Sequence, residues 1–229
     1  YSDMHGKIYS HLSYRYRDDC KPIFQNVTVS EIKKLYEEKD SGYKFYQNEK
    51  MPAPKFYQKS DAAAKGTAFH KALQYIDFNL INDKNDIEKA ILDLTDEKII
   101  NEDAAKLIDS SLIYNFVSSG LGARIRSGKK IFKETPFKIS QSAKDVFPDV
   151  DSDEKIIVQG AIDLFFADEN DNIILVDYKT DKASCEDILK KYSIQLKFYK
   201  LALEKMTGKS IFECYIYSFY NNCEIKLEV

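Results

Sequence analysis

The stretch Ile156-Ile157-Val158-Gln159-Gly160-Ala161-Ile162-Asp163-Leu164-Phe165-Phe166-Ala167, then Asp168-Glu169-Asn170-Asp171-Asn172, then Ile173-Ile174-Leu175-Val176-Asp177-Tyr178-Lys179-Thr180-Asp181 decides the fold. Two apolar runs flank five polar residues, which predicts strands over 155–167 and 172–179 joined as a hairpin. A turn centred on Asn170 sets residues equidistant from it opposite one another, and Asp163 and Asp177 each lie seven positions away. They should be cross-strand neighbours on one face, about 4.5–5.5 Å apart at their Cβ atoms. By alternation Lys179 shares the face of Asp177 while Tyr178 points away. Two carboxylates crowded together between apolar strands are costly without a cation. A divalent ion held by those oxygens, with an ammonium beside it to orient water, is the apparatus of phosphodiester hydrolysis. Asp163, Asp177 and Lys179 are therefore the candidate catalytic residues; the plain alternative is a solvated salt bridge at strand ends.

Upstream, Ala62, Ala63, Phe69, Ala72, Leu73 and Ile76 follow a helical period from a capping Asp61, and this helix carries Gly66-Thr67-Ala68-Phe69-His70. His70 would add a nitrogen to the two carboxylates, a mixed donor set that suits manganese and, less well, magnesium. Two more helices are expected at 84–94 and 101–117, and a further strand at 130–140. The acidic, Pro-containing segment Asp145–Glu154 reads as a mobile loop. A long helix over 186–206 should end at Gly208, followed by strands 211–220 and 223–229 around Asn221-Asn222. On that helix Gln195 and Tyr199, four apart, share a face able to grip a phosphate backbone. Arg124, Arg126, Lys129, Lys130 and Lys133 form a basic strip with no acid among them, a candidate phosphate contact.

Residues 1–60 differ in composition, with eleven Lys and Arg against eight Asp and Glu, so the chain divides into an N-terminal arm with a linker at Met51–Pro54 and a second part, 61–229. Within the arm, Ser30 is the expected cap of a short helix that stops at Asp40-Ser41-Gly42. The whole chain of 229 residues carries −3 formal charge, 44% hydrophobic and 31% charged residues. That composition excludes a disordered segment, and no apolar run reaches the roughly 18 residues of a spanning helix. With no signal pattern after Tyr1, a cytoplasmic fragment of a longer chain is expected. Cys20, Cys185, Cys214 and Cys223 lack the two-residue spacing of a metal clip and are expected to be free thiols. Thr207-Gly208-Lys209-Ser210 lacks the earlier Gly of a phosphate-binding loop, since position 203 is Leu.

Taken in order, Gly66-Thr67-x-x-His70, Gln159-Gly160-x-Ile162-Asp163, Asp177-Tyr178-Lys179-Thr180-Asp181 and Gln195-x-x-x-Tyr199 resemble the RecB-type nuclease domains of the PD-(D/E)XK superfamily, and within them the AddA-type subunits of helicase–nucleases. Val27–Lys33 and Lys133–Phe137 resemble AddA-type segments as well, so the likeness spans about residues 27–220. The resemblance implies a restriction-endonuclease-like α/β core, a central mixed sheet flanked by helices, here with an N-terminal helical arm. It implies an exodeoxyribonuclease acting on unwound single-stranded DNA, on the strand ending 3', in double-strand-break repair. His70, Asp163, Asp177 and the carbonyl of Tyr178 would bind magnesium, with manganese as a substitute, and Lys179 would align water. Gln195 and Tyr199 would place DNA and Glu134 would support. It further implies an AddB-like partner subunit, ATP used only by a preceding helicase region, and no iron–sulfur cluster. The superfamily's eponymous Pro is replaced by Ile162, which leaves the chemistry intact. Two other readings are a silent nuclease-like module that guides DNA or docks a partner protein, which loss of the acids or Lys179 would mark, and a free-standing nuclease.

Overall fold

The structure, a computed structural model, describes residues 25–40, 61–147 and 149–228. The expected linker at Met51–Pro54, the stop at Ser41-Gly42, Cys20 and the capping side chain of Asp61 lie outside the described residues.

Strand β3 (Lys155–Ala167) is the spine of a mixed sheet, and β2 (Lys130–Ser142) runs antiparallel along all of it, from Lys130 opposite Ala167 to Ser142 opposite Lys155. The other flank of β3 is shared by two strands. β1 (Asn26–Thr28) pairs parallel with residues 157–159, and β4 (Ile173–Lys179) pairs antiparallel with residues 164–167. Beyond β4 the sheet continues through the parallel β5 (Ile211–Ser218) and the antiparallel β6 (Cys223–Leu227). Gly160 to Asp163 thus face a fork between β1 and β4.

The hairpin has the expected register, Leu164 opposite Val176 through Ala167 opposite Ile173. Its turn is held by one carboxylate: Asp168 accepts from the backbone of Asn170 at 2.8 Å and of Asn172 at 2.9 Å. Short side-chain acceptors of this kind mimic a backbone turn.

Helices cover both faces. α1 (Val29–Asp40) and the long α8 (Cys185–Thr207), which makes the crossover between β4 and β5, lie on one side, burying Val29, Ile32, Ile188 and Leu196 against Ile162 and Leu175. On the other side α2 (Asp61–Tyr75), α3 (Lys84–Asp96), α4 (Glu102–Leu107), α5 (Ser110–Ser118) and α6 (Gly120–Ser127) form a helical layer. Its Phe69, Leu73 and Phe116 pack on Leu164, Phe166 and Tyr178. Residues 26–40, read from sequence as part of an arm, therefore supply an edge strand and a covering helix to the core.

Three local expectations are corrected. Thr28, not Ser30, caps α1: its hydroxyl accepts from Glu31 N–H at 3.2 Å while Glu31 accepts from Thr28 N–H at 2.8 Å, a reciprocal capping box. The helix expected over 101–117 is two, because Asp109 accepts from Ser111 N–H at 3.0 Å and starts a new one. The acidic segment begins inside a short helix, α7 (Ala143–Val146), buries Phe147, and through its Glu154 and Ser152 carbonyls accepts the Ala143 and Lys144 N–H groups at 2.9 and 3.0 Å. α8 ends as expected, on Gly208 at φ 68°, where a residue without Cβ is unstrained.

One departure from regular pleating positions the site. In β3, Ile156, Val158 and Ile162 pack on the α1–α8 side, whereas Leu164 and Phe166 pack on the other. All five are even-numbered, so the alternation skips a step between 162 and 164. β2 does the same, with Phe137 and Ile139 on the α1–α8 side and Ile131 on the other. The skipped residues are Asp163 and Glu134, and Glu134 sits at φ 45°, an uncommon conformation for a side-chain-bearing residue.

Candidate functional site

Lys133 opposite Leu164 and Thr135 opposite Ile162 place Glu134 directly across from Asp163. One residue beyond the last β3–β4 pair, Asp163 reaches toward β4, and its Oδ2 accepts the backbone N–H of Tyr178 at 2.8 Å. Three strands thus deliver Glu134, Asp163 and Asp177 to one row at the mouth of the fork, Asp163 and Asp177 both buried.

His70 arrives from α2. Its Nδ1 lies 3.4 Å from Glu134 Oε1 and 3.4 Å from Asp163 Oδ1, and donor atoms of these three residues all fall within 4.8 Å of one another. Gly66, one turn earlier, explains the approach: a Cβ there would meet Thr180 Oγ1 at 3.3 Å, so the small residue lets α2 close on the segment after Lys179. Gly160 has a parallel role, since a Cβ would come within 3.0 Å of the Phe137 ring and 3.5 Å of Val29.

Lys179, buried, forms an ion pair with Asp177 Oδ2 and lies 4.4 Å from the centre of the Tyr192 ring. Lys33 of α1 sits on the same ring at 4.1 Å, and the Tyr192 hydroxyl donates to Asp181 at 2.8 Å. The other oxygen of Asp177 accepts from Gln195 Nε2 at 3.1 Å, and the same amide donates to Tyr199 Oη at 2.9 Å. Tyr178 points to the opposite layer, as alternation requires, packing edge-on against Phe116 with ring centres 5.2 Å apart.

The charges are out of balance in the direction a cation would correct. Burial pushes the Asp177 carboxyl up to about 7, against the pull of Lys179 and with the added repulsion of Asp163. Burial opposes a charge on His70, yet the Asp163 and Glu134 carboxylates raise it to about 10. Asp163, although buried, is held below the usual carboxylate range by His70 and Lys179 and by the Tyr178 N–H. Three carboxylates face a single ammonium, and only a protonated imidazole approaches neutrality. One nitrogen and several oxygens at converging distances fit a divalent ion.

The sequence-derived candidates fall into two groups. His70, Glu134, Asp163, Asp177, Tyr178 and Lys179 come together. Gln195 and Tyr199 join them from beneath: both are buried, Gln195 donating to Asp177 and to the Tyr199 hydroxyl, so neither offers the surface grip on a nucleic-acid strand expected of them. The basic strip stays apart. Lys130 pairs with Ala167, at the turn end of the hairpin and four residues along β2 from Glu134. Arg124 is committed to Glu213 at 2.5 Å and to Tyr215 at 3.1 Å, Lys129 to Asp171 at 3.1 Å, and Arg126 is exposed. Lys133 donates to the Ile76 carbonyl at 2.5 Å under the Phe78 ring. Tyr192 escaped the sequence reading, although its place three before Gln195 and seven before Tyr199 puts it on the same helix face.

Among the described residues, no helix is long and apolar enough to cross a membrane. Residues 28–222 match the family model described as the PD-(D/E)XK nuclease superfamily. An ATP-dependent helicase/nuclease subunit of the AddA kind from Clostridium botulinum (strain Kyoto / Type A2) is 33% identical over 238 residues, covering 99% of this chain and 18% of the relative. The protein of the same description from Clostridium acetobutylicum is 33% identical over 237 residues, covering 97% of this chain and 19% of the relative. The chain therefore spans less than a fifth of the length of these relatives.

Proposed function

We propose, from the premise that this chain belongs to the PD-(D/E)XK nuclease superfamily, that it is the metal-dependent deoxyribonuclease part of an ATP-dependent helicase–nuclease, cleaving unwound single-stranded DNA exonucleolytically in double-strand-break repair. The observation that carries the reading is the row Glu134–Asp163–Asp177 with His70 and Lys179 closed around it. The presence of every acid and of the lysine favours an active enzyme over a silent docking module.

His70, Asp163, Asp177 and the carbonyl of Tyr178 would hold magnesium, or manganese in its place, with Glu134 beside His70. Such an ion, when bound, supplies Lewis-acid polarisation of a phosphodiester and eases deprotonation of water. The chain's own groups set the geometry. Asp163 is fixed by the Tyr178 N–H, and Asp177 is fixed by Gln195, which Tyr199 steadies in turn. Lys179 Nζ, confined between Asp177 and the Tyr192 ring, would orient the attacking water. Cytoplasmic location, a helicase region that uses ATP, and an AddB-like partner subunit belong to this reading through the relatives named above.

The test is to incubate the chain with single-stranded DNA and magnesium or manganese beside Lys179→Met. Cleavage by the parent alone is the expected result. Equal cleavage by both would overturn the assignment of the site.

A further inference from the structure

The sulfurs of Cys185 and Cys223 lie 2.6 Å apart, and both residues are half-buried rather than sealed in the core. Two unbonded sulfurs do not pack so closely; the separation lies between van der Waals contact and a covalent S–S bond of about 2.05 Å. The junction around them is already clamped. Asn221, in the turn before Cys223, donates through Nδ2 to the Ala183 carbonyl at 2.7 Å and to Ser218 Oγ at 2.9 Å. Cys185 is the first residue of α8 and Cys223 the first of β6, so the contact joins two elements that enter the same place from opposite directions. By contrast, Cys214 is buried and no partner sulfur is described for it.

We infer that Cys185 and Cys223 form a reversible disulfide by exchange with small-molecule disulfides of the oxidised-glutathione class, stapling the start of α8 to β6. In the first step one protein thiolate attacks the small disulfide, giving a mixed disulfide and releasing one small thiolate, which takes up the lost proton. In the second the other protein thiolate attacks the mixed disulfide, closing the protein bond and releasing the second small thiol. Two protein thiols and one small disulfide become one protein disulfide and two small thiols, with no further oxidant. Burial and the neighbouring Cys185 thiol push the Cys223 thiol up to about 11.

The position gives the bond a consequence. Ser218 pairs with Cys223 on one side and with Lys179 on the other, so a single cross-strand row runs from Lys179 to the thiol pair. Only residues 180–184 separate Lys179 from Cys185. The staple would close a covalent ring of residues 185–223, anchor the end of this connection, and restrain the start of the helix carrying Tyr192, Gln195 and Tyr199. The inference is independent of the nuclease reading, because it is tested by thiol chemistry alone.

The experiment treats the 229-residue chain with oxidised glutathione, then quenches, measures intact mass and maps peptides; Cys185→Ser and Cys223→Ser are run alongside. The expected result is loss of two hydrogens, a Cys185–Cys223 crosslink, its reversal by dithiothreitol and its absence from both variants. Amide exchange over residues 180–190 should slow in the oxidised chain and recover on reduction. A stable glutathione adduct without closure, a crosslink involving Cys20 or Cys214, or closure with unchanged exchange would each overturn the staple.

Discussion

The backbone N–H of Tyr178 donates to Asp163 Oδ2 at 2.8 Å, so a side chain of β3 takes the hydrogen bond of the residue that follows Asp177 on β4. That bond fixes Asp163 against the strand that carries the other two candidate catalytic groups. Asp163→Asn keeps an acceptor of the same shape and removes the charge. The variant should fold, and its manganese affinity by calorimetry should fall by more than the roughly 10–100-fold expected for an outer supporting group. Unchanged affinity would remove Asp163 from the ligand set.

Stability of the metal-free chain should fall with rising pH. Asp177 stands at about 7 against an ordinary 3.8, and His70 at about 10 against 6.5. Both are raised, so the folded state binds more protons than the unfolded one up to those values. Their stabilisation is complete at low pH, then is lost through about 7 for Asp177 and through about 10 for His70. Asp163 acts oppositely, but only below its ordinary 3.8. Melting temperatures taken from about pH 7 to about 10 should decline, and His70→Gln should flatten that decline; a parallel slope would refute the linkage.

Gln195 acts through Asp177. Gln195→Ala should leave the melting transition cooperative and lower metal affinity and cleavage together by about 10–100-fold. Tyr199→Phe, which keeps the ring and removes one hydrogen-bond partner of that amide, should do less. Loss of DNA affinity with normal metal binding in Gln195→Ala would restore the surface-contact role.

Glu134 separates strain from chemistry. Its φ of 45° costs a non-glycine residue about 1–3 kcal/mol. Glu134→Gly should therefore match or exceed the parent in urea midpoint while binding manganese more weakly, whereas Glu134→Ala should weaken binding and keep the strain. Equal metal affinity in both variants and the parent would show that the carboxylate is idle.

Arg124 should be structural. Its side chain is 40% exposed in its pair with Glu213, a setting typically worth about 0.2–1 kcal/mol. Arg124→Ala should shift the urea midpoint slightly and leave single-stranded DNA affinity and its salt dependence unchanged. A reduced salt slope would return this residue to the phosphate contacts.

Much of this arrangement was legible in the chain because hairpin geometry is arithmetic. The turn at Asn170 fixed the register, and the alternation of Asp177, Tyr178 and Lys179 held in β4. The skipped step at Asp163 and Glu134 was not legible. Leu164, Phe165 and Phe166 are all apolar, so nothing in their order marks where the faces exchange. Glu134 consequently looked peripheral, although it lies opposite Asp163. The surroundings of the basic strip were not legible, because proximity in sequence does not reveal that Glu213 and Asp171 pair with Arg124 and Lys129. Gln195 and Tyr199 were paired correctly by helical spacing; that spacing does not say which side faces water.

Because β1 and β4 divide one flank of β3 between them, residues 26–40 cannot be peeled away without opening the sheet. A fragment begun after residue 40 would bare the backbone of residues 157–159 and the apolar underside of α8 that α1 now roofs. Such an edge invites pairing with other chains. Trimming for expression or crystallisation should therefore not reach Gln25, whose carbonyl accepts the Ile157 N–H at 2.8 Å.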